Sequence, residues 1–68
     1  MRVLLVGAGR MGLRHLKGLD GEVTHVDVVD PNPDVAPAVK VGSGRTSTTM
    51  FATLDDVPSN ARYDAAII

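Results

Sequence analysis

The chain contains neither cysteine nor tryptophan, and Phe51 and Tyr63 are its only aromatic residues. Without thiols there is no disulfide staple, no cysteine nucleophile and no thiolate metal site. Two scattered histidines, His15 and His25, do not make a metal site either. So small an aromatic content leaves no platform on which nucleic-acid bases would stack. Charge of one sign is also lacking: seven Lys and Arg face eight Asp and Glu, for a formal net charge of −1. That balance gives neither the basic footprint of a nucleic-acid binder nor a polybasic membrane patch. No apolar run approaches the roughly 20 residues of a membrane-spanning helix. The apolar stretch at residues 3–6 is too short for a signal-peptide core, and no small-residue cleavage site follows it. A cytoplasmic protein is expected. What remains, 44% hydrophobic and 22% charged residues in a chain of 68, is the composition of one small globular unit. Such a unit buries only about 60% of its unfolded surface, so its core is marginal.

Residues 3–6, Val-Leu-Leu-Val, form a continuously apolar run bounded by Gly7. That pattern predicts a strand buried on both faces, as in a parallel sheet. A helical pattern follows over residues 10–19, with Gly12, Leu16 and Leu19 on one face and Arg10, Arg14 and Lys17 on the other. Gly21 is placed to be its left-handed cap. Residues 22–30 read as a second strand, stopped by Pro31. His25 and Asp27 share one face of it, so that face is expected to be partly wet or covered by a polar partner. Residues 32–40 read as a short helix with Asn32 as cap and Pro33 in the first turn, weakened or broken by Pro37. A loop is expected over residues 42–49 and a short third strand over 50–52. Thr53 and Asp56 have the spacing of a capping box, with Pro58 limiting that helix to a turn or two. Residues 63–68 read as a last strand. The order β-α-β-α-β-α-β implies right-handed crossovers and a parallel sheet. It is an α/β class with a partial Rossmann-like sheet, expected to be a fragment of a doubly wound domain.

The chemistry lies in Gly7-Ala8-Gly9-Arg10-Met11-Gly12, a G-x-G-x-x-G pattern. Alone the pattern is weak. Here it follows a strand, opens a helix, and precedes an acid, Asp30, placed 18 residues after Gly12 at the end of the second strand. Gly7 permits the tight turn, Gly9 lets backbone approach a pyrophosphate, and Gly12 lets the helix pack closely. The free N–H groups around Arg10, Met11 and Gly12 would face the diphosphate with the positive end of the helix dipole. Arg10 either adds a positive charge there or is a solvated helix-start residue. Asp30 would accept hydrogen bonds from the adenosine ribose and repel a 2′-phosphate, which favours NAD over NADP. No arginine follows Asp30 directly; Arg45 of the 42–49 loop is the candidate that would reverse the preference.

The residues from Val3 to His15, Val-Leu-Leu-Val-Gly-Ala-Gly-Arg-Met-Gly-Leu-Arg-His, resemble the Gfo/Idh/MocA family of NAD(P)-dependent oxidoreductases. Asp30-Pro31 is similar to the end of that family's second strand. Phe51-Ala52-Thr53-Leu54-Asp55-Asp56-Val57 is similar to its third strand and following helix, and Tyr63-Asp64-Ala65-Ala66-Ile67-Ile68 to its fourth strand. The resemblance implies that residues 1–68 are the N-terminal half of a dinucleotide-binding domain whose substrate domain lies outside this chain. It maps Gly7, Gly9, Arg10, Met11, Gly12 and Asp30 to the cofactor site. It further implies a homo-oligomeric parent enzyme that transfers a hydride between the nicotinamide and a sugar, polyol or related small hydroxy compound. The family's Thr/Ser-Pro contact and Glu-Lys-Pro lysine have no counterpart here, so no catalytic residue is assigned.

Other features carry simpler readings. His15, one turn into the helix, reads as a structural, hydrogen-bonded histidine. Asp55-Asp56 serves a helix start, and the 42–46 segment lacks the lysine of a phosphate-binding P-loop. One alternative function is a regulatory nucleotide-binding domain of the potassium-transporter gating type, which binds NAD or ATP without catalysis. Such domains share Gly-x-Gly-Arg-x-Gly but carry a Gly-Asp-Ala-Thr type segment after the third strand, where this chain has Phe-Ala-Thr-Leu-Asp-Asp. A third reading is a fragment that binds nothing because half of its crevice is missing.

Overall fold

The computed structural model describes every residue except Ser43. Its first element, β1 (Arg2–Val6), turns at Gly7 into α1 (Arg10–Leu19). The next strand, β2 (His25–Val29), leads through a short 3-10 turn at Pro33–Val35 into α2 (Ala36–Gly42). The third strand, β3 (Ser47–Phe51), is followed by a second 3-10 turn at Leu54–Asp56 and then by β4 (Ala65–Ile67). The four strands form one sheet in the order β3-β2-β1-β4, and every pairing is parallel. The chain therefore builds outward from β1 in one direction and then returns to add β4 on its other side. The gap between the ends of β1 and β4 is the topological switch point at which open α/β sheets bind their ligands.

Register and alternation divide the sheet into two faces. Val3, Leu5, Val26, Val28, Met50 and Ile67 share one face, on which Leu16 of α1 and Val39 of α2 complete the core. Leu16 and Val26 are wholly buried, as a small domain with few core side chains requires. The other face carries His25 and Asp27 beside β1 and β3. Arg10, Arg14 and Lys17 lie on the exposed side of α1, as the helical period predicts. The C-cap of α1 is Asp20. Gly21, expected as a left-handed cap, has a φ of +80° in the turn that follows, closed by the bond from the Glu22 N–H to the Leu19 carbonyl. Its own N–H goes to the Thr46 hydroxyl instead of a helix carbonyl.

Several boundaries differ from the sequence reading. β2 begins at His25 rather than at 22, because the Val23 N–H is still bonded to the Leu19 carbonyl of the helix exit. β3 begins at Ser47, so residues 47–49 are strand and not loop. Thr48 and Thr49 are β-branched and suit an edge strand, and the Ser47 N–H reaches the Thr24 carbonyl. The part of the expected loop at Ser43 lies outside the described residues. Pro37 breaks no helix. The Asn32-capped segment is a separate 3-10 turn, and Pro37 stands in the first turn of α2, where its missing N–H costs nothing. The Asn32 side chain accepts the Asp34 N–H at 3.0 Å, as a cap should. The Thr53 helix is only one 3-10 turn, with the Thr53 N–H donating to Asp56 at 3.3 Å. β4 is shorter than expected, and Asp64 pins its start to β1 by accepting the Arg2 N–H and donating its own to the Arg2 carbonyl.

Candidate dinucleotide site

The glycine loop takes its shape from three backbone requirements. Gly7 has a φ of +95°, a conformation that side chains disfavour, and its N–H bonds the Val29 carbonyl at 2.7 Å. This contact holds the loop across the end of β2. Gly12 stands so close to the loop that a Cβ on it would collide with the Gly7 carbonyl. The close approach predicted for Gly12 is thus to the loop backbone, which brings the helix start over the strand end. Gly9 differs from both, since a Cβ there would meet nothing within 4 Å. Its lack of a side chain leaves open space above the loop, where backbone and ligand would meet directly.

Gly9 is also the N-cap of α1, with no side-chain cap and no acid in the first turn. The first intrahelical bond runs from the Leu13 N–H to the Gly9 carbonyl at 2.9 Å. The N–H groups of Arg10, Met11 and Gly12 therefore have no intrahelical acceptor, and the positive end of the helix dipole is uncompensated. Arg10 and Met11 are exposed beside them. An open cavity of about 450 Å³ lies at this point, lined by Gly9, Met11 and Gly12 on one side and by Leu5, Ile67 and His15 on the others. His15 is exposed on that cavity, and its ring has no hydrogen-bond partner among the described residues. This corrects the expectation of a structural, hydrogen-bonded histidine: the flank it occupies looks into the cleft instead of onto the sheet.

Asp30, at the end of β2, comes to the same loop. One of its carboxylate oxygens accepts the Ala8 N–H at 2.8 Å and the other accepts the Asn32 N–H at 2.8 Å. The Ala8 bond, then the Asn32 bond, hold this carboxyl below the ordinary aspartate range. It is therefore ionised at neutral pH. A carboxylate has about four acceptor positions, so the two backbone bonds orient it and leave capacity for ribose hydroxyls. A second cavity of about 210 Å³, walled by Pro33, Met50 and Phe51, adjoins Asp30 at the ends of β2 and β3. Glycine loop, acid and two flanking cavities occupy one edge of the sheet.

Arg45 is not near that edge. Its backbone N–H donates to Asp20 at 2.8 Å, and its guanidinium reaches the Asp20 carbonyl at 3.2 Å. Register puts this corner beside the first residues of β2 and β3, at the end of the strands opposite Asp30. It therefore cannot supply a 2′-phosphate contact. Among the described residues no cluster of three His, Cys, Asp or Glu side chains is placed to hold a metal.

Sequence reading placed the glycines after β1 and Asp30 at the end of β2, where the structure has them, but missed the Ala8 N–H as the acid's partner and Pro33, Met50 and Phe51 as a neighbouring wall. The doubled proline at 31 and 33 was the available signal for a fixed loop beside the acid. No family model, no curated protein and no solved structure matches this chain.

Proposed function

We propose that this chain is the cofactor-binding portion of an NAD(P)-dependent oxidoreductase, with NAD preferred. The parent reaction is hydride transfer between the nicotinamide and a sugar, polyol or related small hydroxy compound, following the family resemblance of the sequence. The observation that carries the reading is the bond from the Ala8 N–H to Asp30. It locks the strand-end acid to the glycine loop, so that one rigid edge presents an anion-binding helix start and a ribose acceptor together.

The residues suit the group. Gly9 offers the open cradle, the Arg10, Met11 and Gly12 N–H groups would take a diphosphate, and Asp30 would take the ribose diol. When bound, the nicotinamide supplies or accepts the hydride. The chain's own part is to bind, orient and select: Gly7 and Gly12 set the loop against the sheet, and the ionised Asp30 repels a 2′-phosphate. No catalytic side chain is assigned among these residues. Titration of labelled protein with NAD, followed by amide NMR shifts, tests the assignment. Shifts concentrated on Ala8, Gly9, Arg10 and Met11 are expected, and saturating NAD that leaves those amides unmoved sinks it.

A further inference from the structure

The opposite end of the sheet carries a second constellation, which the dinucleotide reading does not use. His25 and Ser47 are the first residues of β2 and β3 and are paired in register, as are Asp27 and Thr49 two residues on. In a parallel pair such neighbours project from the same face, so the register alone gathers four polar side chains. His25 Nε2 lies 2.6 Å from Asp27 Oδ1, and His25 Nδ1 lies 3.0 Å from Ser47 Oγ. The Asp27 side chain is fully buried, the His25 side chain is 23% exposed, and Ser47 is exposed. Acid, imidazole and hydroxyl thus run in line from the interior to solvent.

Protonation follows from the partners. Asp27 Oδ2 receives the Arg2 guanidinium at 2.7 Å and the Tyr63 hydroxyl at 2.5 Å. Burial raises the Asp27 carboxyl, and the bonds from Tyr63, Arg2 and His25 outweigh it, leaving the group below the ordinary aspartate range. An ionised Asp27 is acceptor only, so His25 Nε2 must carry the proton. In the neutral imidazole Nδ1 is then the bare lone pair, facing the Ser47 hydroxyl.

We propose that Ser47 is a nucleophile towards activated acyl esters, with His25 as its general base and Asp27 as a positioning residue that fixes the ring. Ser47 Oγ bonds to the acyl carbon while its proton passes to His25 Nδ1, and the bond to the aryloxide breaks. The aryloxide leaves with the electron pair and takes the proton from the imidazolium. Water then attacks the Ser47 ester, giving one proton to His25 Nδ1, and the carboxylic acid departs as that proton returns to Ser47 Oγ. The substrate class follows from what surrounds the hydroxyl. The Ser47 N–H is engaged by the Thr24 carbonyl at 3.3 Å and does not face an oxyanion. Loss of that donor costs on the order of 10²–10³ in rate, which restricts acylation to esters with good leaving groups.

The test uses the chain with p-nitrophenyl acetate and locates the acetyl group by fragment-ion mass spectrometry. Exposed Ser59 serves as the internal control hydroxyl. Acetylation of Ser47 is expected to outrun that of Ser59 by roughly 10²-fold or more, the usual contribution of a general base, and to fall to the Ser59 rate in His25→Gln. Ser47 reacting no faster than Ser59, or equally fast in His25→Gln, overturns the proposal. Ring ¹⁵N spectra of the unmodified protein give a reading independent of any variant's folding. A protonated Nε2 with a bare Nδ1 is expected, mixing towards both tautomers in Asp27→Asn. A protonated Nδ1 in the native chain rules out the base.

Discussion

Asp27 lies inside β2 with its side chain wholly buried, whereas Asp30 follows the last residue of that strand with its carboxylate at the cleft. Both are held below the ordinary aspartate range, but by different means. Asp27 overcomes burial through three side chains drawn from β1, β2 and the segment before β4. Asp30 accepts two backbone N–H groups from flanking loops and keeps acceptor capacity in reserve. A shifted titration therefore does not by itself distinguish a structural acid from a binding one. The partners differ: three side chains surround Asp27 and make it a joint, whereas two backbone N–H groups hold Asp30 at the open ends of the strands.

Removing the joint should have the largest effect on stability. Asp27→Ala leaves the Arg2, Tyr63 and His25 donors facing a void, which costs about 3 kcal/mol. A domain this small has little more than that in total, so urea denaturation should show a largely unfolded variant. A native-like midpoint would erase the distinction between the two acids. Gly12→Ala should come next, at roughly 2 kcal/mol, since its methyl group meets the Gly7 backbone and not a side chain that can move. Asp30→Ala should shift the urea midpoint less than Asp27→Ala while weakening NAD binding more than NADP binding. Equal losses for both cofactors would count against the ribose assignment.

Acid stability sharpens the same contrast. Asp27 and Asp30 lie below the unfolded value, as does Asp20 through the backbone N–H groups of Arg45 and Thr46. The unfolded chain therefore binds more protons in this range. The stabilisation is complete above about pH 4 and is lost as pH falls through the lower folded values. Burial and then the Asp27 carboxylate hold Tyr63 above its ordinary range. Its contribution is present below about pH 10 and is lost as pH rises through the folded value. The Asp27 joint should thus weaken at both extremes, and Asp30→Asn should retain the alkaline limb. An alkaline limb absent from the native chain would contradict the Tyr63 contact. The smallest effect belongs to Asn32→Ala, which removes one cap at about 1 kcal/mol and should lower the thermal midpoint by about 4–8 °C.

How much was legible in the sequence depended on how local the signal was. β1, α1 and the glycine loop declared themselves because their signals, a continuous apolar run, a 3.6-residue period and three glycines, sit within 18 consecutive residues. Asp30 followed from its distance to Gly12 and from the proline that ends its strand. The start of β3 was hidden because Ser47-Thr48-Thr49 has the composition of a loop and the half-polar surface of an edge strand at once. The polar face of β2 was visible in His25 and Asp27, but their partners were not. Arg2 and Tyr63 stand 25 and 36 residues from Asp27, and only the parallel register brings them together. Arg45 was misplaced for the same reason, since its position depends on which end of β3 the loop enters.

The most direct measurement is calorimetric titration of the native chain and of Gly9→Val with NAD and with NADP. Gly9 has open space around it, so the valine fills the ligand's place without displacing protein atoms. The expected result is NAD binding tighter than NADP binding in the native chain, and binding of neither by a folded Gly9→Val. Undiminished affinity in Gly9→Val, or no heat from either cofactor with the native chain, would contradict the glycine loop as a diphosphate site.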